Sequence, residues 1–214
     1  MKNVCFYHLA TIGNYQKITD DIFALLDKSK LHEKLDHIFI NIAGNKKVIL
    51  PNKEKISIFQ EIAELNEFEF STINRIKKYA DLDLDESNIL YLQTLGCTAE
   101  NNICINERRD YMLYFNIEKY QKALDSLKEN DAISVDLVDY PVKHFSGNIW
   151  WSKSSHIKKL PYPVELPFIF SERHKCEFWI CSNPNGKYET MHQTNINVHA
   201  RHLNRYPREK YAND

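Results

Sequence analysis

Glycine is scarce in this chain, five residues in 214, and proline only slightly less so at seven. That scarcity excludes long flexible linkers and low-complexity tails. No apolar run approaches the roughly 18 residues of a membrane span. The opening MKNVCFYHLATIG has neither an extended apolar core nor a small-residue cleavage site. A soluble, unsecreted protein of the cytoplasm is expected. Excess charge is also missing: 28 Lys and Arg stand against 29 Asp and Glu, so no overall field attracts a nucleic acid or an anionic membrane. The cysteines, Cys5, Cys97, Cys104, Cys176 and Cys181, form no paired CxxC spacing and read as free thiols. Nucleotide and hydrolase signatures are absent as well. There is no GxGxxG after the first strand, no GxxxxGK[ST], no GxSxG elbow, no HExxH and no kinase set.

What is present alternates between two periodicities. Val4–Leu9 reads as a strand, Thr11–Asn14 as a glycine-bearing turn, and Ile18, Ile22, Phe23, Leu25 and Leu26 as one face of a helix. His37–Ile42 is a second strand stopped by Ala43-Gly44-Asn45. Lys47–Leu50 suggests a small strand, Ile56–Leu65 a helix, and Ser71–Tyr79 a helix capped by Ser71. Ile89–Thr94 is the third strand and runs into Gly96, after which Arg108–Leu127 carries a long amphipathic pattern. Val135–Val138 and His144–Trp151 read as strands, and Lys153–Leu160 as a short helix stopped by Pro161. The expected fold is a single α/β domain over residues 1–188, Rossmann-like, with a mostly parallel mixed sheet flanked by helices. Residues 189–214 are expected to form a polar extension that packs on the domain or leads to a linker.

In such sheets ligands bind beyond the carboxyl ends of the strands. Three strand-end loops carry suitable material: Thr11, Gly13, Asn14 and Tyr15 after the first strand, Gly44 and Asn45 after the second, and Thr94 and Gly96 after the third. Glycine admits close backbone approach, and hydroxyls, amides and a helix N-terminus suit a ribose and diphosphate. The competing reading is that these residues merely end strands. His144–Trp151 joins a Gly-Asn pair, Gly147 and Asn148, to two adjacent tryptophans. Neighbouring strand residues face opposite ways, so one of Trp150 and Trp151 is expected to leave the core and stack on a sugar ring; a packed aromatic strand is the alternative. Glu172 and Glu177 supply carboxylates in an aromatic setting. Glu177 is the expected general base, with a surface glutamate in a charged run as the competing reading; Asn148, which can hydrogen-bond sugar hydroxyls, and His144, otherwise a structural or surface histidine, are the further catalytic candidates. Arg75 and Arg173 are candidate cations for a leaving diphosphate. Asp81 and Asp83 offer alternating carboxylates for a cation, but their place before the third strand puts them at the amino edge of the sheet, where a solvated acidic turn is the simpler reading.

Taken together, the strand ending at Thr94-Leu95-Gly96, the helix around Arg109–Phe115, and the His144–Trp151 block followed by Leu160-Pro161 resemble virus-encoded and bacterial GT-A-type glycosyltransferases, chlorovirus-encoded capsid-glycan enzymes among them. The likeness runs from Val4 to about Trp179, and its most specific part is Gly-Asn-Ile-Trp-Trp. It implies transfer of a sugar from a nucleoside-diphosphate sugar, such as a UDP-sugar, to a saccharide acceptor in viral or surface glycan synthesis, in the host cytoplasm if viral. It further implies a divalent metal, Mn²⁺ or Mg²⁺, bridging the diphosphate. The Asp-x-Asp that usually holds that ion is replaced here by Gln93-Thr94-Leu95-Gly96. A non-catalytic carbohydrate-binding module is the alternative function.

Overall fold

A computed structural model describes the chain except residues 53, 63–64, 66, 198–199 and 213–214, and the side chains of 60–62. Seven strands form the main sheet: β1 (Lys2–Ala10), β2 (His37–Ala43), β3 (Ile56–Ile62), β4 (Ser87–Gln93), β5 (Ala132–Ser134), β8 (Trp150–Lys153) and β9 (Tyr188–Thr190). Their order is β3-β2-β1-β4-β8-β5-β9. β1, β2, β3 and β4 pair in parallel, as do β5 and β9, whereas β8 is antiparallel to both its neighbours. A two-stranded ribbon of β6 (Leu137–Val138) and β7 (His144–Phe145) stands apart. This is the expected Rossmann-like α/β fold.

Alternation along the strands divides the core in two. Cys5, Tyr7 and Leu9 of β1 join Leu90 and Leu92 of β4 on one face. There they meet α1 (Tyr15–Lys28) through Ile18, Ile22, Phe23 and Leu26, together with α4 (Ile103–Leu113) and the π-helical turn Tyr114–Glu118 that leads to α5 (Tyr120–Ser126). Val4 and Phe6 of β1 with Ile89 and Tyr91 of β4 face the other way, onto α3 (Phe70–Leu82), α6 (Ser154–Ile157) and α7 (Glu172–Phe178). A short helix, α2 (Leu31–Lys34), follows α1. Among the described residues no helix is long and apolar enough to cross a membrane.

Several sequence expectations need correction. Ile56–Leu65 is not a helix: residues 56–62 are β3, and 63–64 lie outside the described residues. A short apolar run does not itself choose between periods; here the choice is made by tertiary pairing with β2. Lys47–Leu50 forms no strand. Ser71 does not cap α3, whose N-cap is Glu69; the Ser71 hydroxyl accepts from Asn41 Nδ2 at 2.8 Å instead. His144–Trp151 is two strands, β7 and β8, separated by a turn in which Gly147 (φ 101°) and Asn148 (φ 52°) both take the left-handed region. Beyond residue 188 the chain runs on through β9, and Met191 and Tyr211 are part of the first core cluster.

Candidate functional site

The chain builds β1, β2 and β3 outward in one direction and then returns to place β4 on the other side of β1. The carboxyl ends of β1 and β4 therefore diverge at a topological switch point, the place where open α/β sheets leave a crevice. A cavity of about 420 Å³ lies there, lined by Ala10 and Ile12 after β1, Ala43 at the end of β2, and the Gln93–Thr98 stretch after β4.

The three glycine-bearing loops meet at this rim. Thr11 N donates to Ala43 O at 2.7 Å and Asn14 N to Cys97 O at 3.0 Å. A Cβ on Gly44 would fall 2.2 Å from Thr11 Oγ1, and one on Gly13 would fall 1.8 Å from Cys97 O. Only glycine admits these approaches. Thr94 Oγ1 accepts from Ala10 N at 3.0 Å, binding the β1 loop to the β4 loop, and Gly96 packs under Ile105 of α4. Asn14 is the N-cap of α1, Tyr15 turns its hydroxyl away to Lys47 O at 2.8 Å, and Asn45 is exposed. Arg75 does not join them. It lies over Phe59 at 5.4 Å, in a separate groove with Lys2, Asp83 and Asp85 toward the amino ends of the strands.

Three residues that the sequence did not single out as site candidates face the cavity: His8, Glu69 and Gln93, the last having stood out only as occupying the place where the usual Asp-x-Asp would begin. Arg173, from α7, lines the same wall. Burial raises the pKa of the Glu69 carboxyl, against the opposing pull of Arg173, and its buried Oε2 has no hydrogen-bond partner among the described residues. His8 Nδ1 meets Thr72 Oγ1 at 2.8 Å, and Thr72 Oγ1 in turn accepts from Asn41 Nδ2 at 2.8 Å. Burial, helped by Arg173, pushes His8 down to about 4 from 6.5. Between those two values the unfolded chain binds a proton that the folded chain refuses, so stability falls as pH drops through that window. The shift corresponds to roughly 3 kcal/mol once both forms have titrated. Urea denaturation at about pH 7 and pH 4.5 is expected to show a loss that is smaller in His8→Gln; equal losses would mean that His8 does not carry it. His144 and His156 are lowered by burial too, so the variant keeps part of the slope.

The second group of candidates gathers around the turn between β7 and β8. Glu177 Oε1 accepts from Gly147 N at 2.9 Å, and both Glu177 and His144 line a smaller cavity of about 190 Å³. Gln93 ties the two cavities together, its Nε2 donating to Gly147 O and Asn148 O, each at 3.1 Å. Neither tryptophan leaves the core. Trp150 and Trp151 are both 0% exposed, because helices cover both faces of the sheet. Trp150 packs at 5.2 Å from Tyr91, and Trp151 donates to Asn116 O at 2.9 Å. Asn148 is buried as well, its Oδ1 accepting from Trp150 Nε1 at 2.9 Å. Glu172 is exposed and ion-paired with Lys175 at 2.9 Å, lining neither cavity.

The described residues at the rim do not fit a divalent ion. Hard cations take several oxygen ligands, yet among the described residues the carboxylate lining the larger cavity is Glu69 alone, under the influence of the Arg173 charge. Asp81 pairs with Lys77, and Asp83 caps the carboxyl end of α3, remote from this rim. Among the described residues no group of three or more His, Cys, Asp or Glu side chains is placed to hold a metal.

Comparison with solved structures finds a crystal structure of 4-diphosphocytidyl-2C-methyl-D-erythritol synthase at 12% identity, covering 99% of this chain and 96% of that one, with a TM-score of 0.40. That likeness is too loose to assign an activity. No curated protein sequence matches the chain. The family described as a domain of unknown function, DUF8361, matches residues 6–213, and the chain belongs to it.

Proposed function

We propose that this protein is a GT-A-type glycosyltransferase that moves a sugar from a nucleoside-diphosphate sugar to a saccharide acceptor. The observation that carries the reading is the cavity at the switch point between β1 and β4, where three strand-end loops meet. Its volume of about 420 Å³ lies within the roughly 300–1,000 Å³ of small-molecule and cofactor sites. The loop backbones seat the nucleotide, and Arg173 counters charge on the departing diphosphate. Glu177 takes the proton from the acceptor hydroxyl as its oxygen bonds to the anomeric carbon. The bond from that carbon to the phosphate oxygen breaks, and the nucleoside diphosphate leaves with the electron pair. A carbohydrate-binding module built on the tryptophans loses its platform, since both indoles are buried.

A panel of nucleoside-diphosphate sugars, each tested with Mn²⁺ and with a chelator, is expected to raise the melting temperature for at least one donor. Binding at 100 times Kd adds about 2.7 kcal/mol. The rim residues lead us to expect that the rise survives chelation. No rise with any donor under either condition would overturn the reading. With a donor in hand, Glu177→Gln is expected to lower kcat by roughly 10²- to 10⁴-fold and to leave donor affinity within about twofold. Unchanged turnover would remove Glu177 from the proton transfer.

A further inference from the structure

The smaller cavity differs in character from the larger one. At about 190 Å³ it falls below the usual range for nucleotide-sized ligands, so a single ring is the largest group it encloses. Its lining is divided by chemistry. Tyr140 and Phe170 are large aromatic rings that remain 66% and 59% exposed. Deeper in lie polar groups on rigid elements. Arg108 on α4 donates from Nη2 to Ser146 Oγ at 2.9 Å, and its buried Nε has no hydrogen-bond partner among the described residues. Glu177 is fixed by the Gly147 N–H. His144 Nδ1 meets Val142 O at 2.8 Å, and a carbonyl can only accept, so the proton is on Nδ1 and Nε2 remains an acceptor. Burial keeps this imidazole neutral by lowering its pKa.

Phe170 is held against its own preference. It is a bulky residue at φ 62°, a left-handed conformation that strains a non-glycine backbone. Glycine would fit the backbone without that cost. An exposed aromatic side chain kept at a strained position beside a cavity is better explained by what it touches in solution than by packing within the chain. Its ring meets His174 edge-on at 5.8 Å, and His174 is anchored by Ser171 Oγ at 2.7 Å.

We infer that this cavity is a saccharide seat, in which one sugar ring rests its C–H face on Phe170 or Tyr140 and turns its hydroxyls to Ser146, Glu177, Arg108 and His144. Aromatic faces set against convergent hydroxyl, carboxylate and guanidinium groups suit a pyranose, which is apolar across its face and polar around its edge. The platform is thus supplied by Phe170 and Tyr140 and not by the tryptophans. Calling the bound ring the acceptor rests on the glycosyltransferase reading; the seat itself does not.

The test uses the full chain with Phe170→Gly and Tyr140→Ala, probed with a panel of methyl pyranosides by ligand-observed NMR and calorimetry, and with the nucleoside-diphosphate sugars used for the donor site. Phe170→Gly is expected to melt at or above the wild-type temperature, because strain is relieved and little buried area is lost. It is expected to weaken saccharide binding about tenfold, 1.4 kcal/mol, with donor affinity unchanged within about twofold. Tyr140→Ala is expected to weaken the saccharide in the same direction. A Phe170→Gly protein that melts lower while holding saccharide at wild-type affinity would show a packing role and overturn the seat, as would a wild-type protein that binds no pyranoside at millimolar concentration. If pyranosides bind and the variants weaken them, yet no donor binds, the seat stands and the transferase reading falls.

Discussion

Replacing Trp151 by alanine is expected to remove roughly 3–5 kcal/mol of stability, the range for deleting a large buried aromatic side chain. The ring is fully enclosed, and its indole N–H satisfies Asn116 O within the π-helical turn between α4 and α5. Truncation opens a cavity and strips a buried carbonyl of its partner. Trp150→Ala is expected to cost a similar amount on the opposite face, where the ring contacts Tyr91 and Trp179 at centroid distances of 5.2 and 6.2 Å. Such losses are a large share of the 5–15 kcal/mol typical of a domain, so Trp151→Phe serves as the milder companion for urea titrations. Tryptophan emission supplies an independent check. All three indoles are 0% exposed, so the native spectrum is expected to be blue-shifted and insensitive to iodide. A red-shifted, iodide-quenched spectrum, or a Trp151→Ala protein of full stability with lost sugar affinity, would return the tryptophans to a binding surface.

The burial of that pair also marks where the sequence stops being informative. The alternation rule rightly sends Trp150 and Trp151 to opposite sides of β8, and they do fall in separate core clusters. The rule does not say whether the second side is solvent. That depends on α3, α6 and α7 covering the second face, a fact about tertiary placement. β1, β2 and β4 were legible because each combines an apolar run with a polar or glycine stop. The meeting of their loops followed from strand parallelism and from glycines whose neighbours leave no room for a Cβ. β3 was illegible because its short run satisfies two periods, and its pairing with β2 decides between them. His8 and Glu69 left little trace for another reason. A histidine inside an apolar strand and a glutamate between two phenylalanines look like surface or core filler until the strand end and the α3 N-terminus are brought to one cavity. Arg75 failed oppositely: its helix was found, but the rotation and height that carry its guanidinium to the far end of α3 were not readable from spacing alone.

Breaking the Asp136–Arg201 pair is expected to cost as much as losing a tryptophan. Asp136 is 2% exposed and Arg201 4%, with Nη1 and Oδ2 3.1 Å apart. Alignment at Nη1 is too poor for a hydrogen bond, so the attraction between them is mainly Coulombic. Asp136 sits just after β5 at φ 54°, a position that aspartate tolerates better than most residues. Its Oδ1 accepts from Thr194 N at 2.7 Å and Thr194 Oγ1 at 2.9 Å. One side chain therefore fastens the chain beyond β9 to the sheet at two points. Burial lowers the pKa of Arg201 and the Asp136 charge opposes that shift, so neutralising Asp136 leaves a buried cation with less to compensate it. Asp136→Asn preserves shape and the acceptor for Thr194 but removes the charge, and is expected to destabilise by about 3–5 kcal/mol. Arg201→Met in the same background is expected to recover much of that loss, because with the cation gone no unpaired charge remains buried. A double-mutant cycle in urea reads this directly, with a coupling energy of at least about 1 kcal/mol expected for groups in contact. If Asp136→Asn unfolds within about 0.5 kcal/mol of wild type, or if the two substitutions simply add, the segment beyond β9 is held by its aromatic contacts, Tyr206 and Tyr211 against Tyr111, and by the Arg208–Glu118 pair, without need of the buried charges.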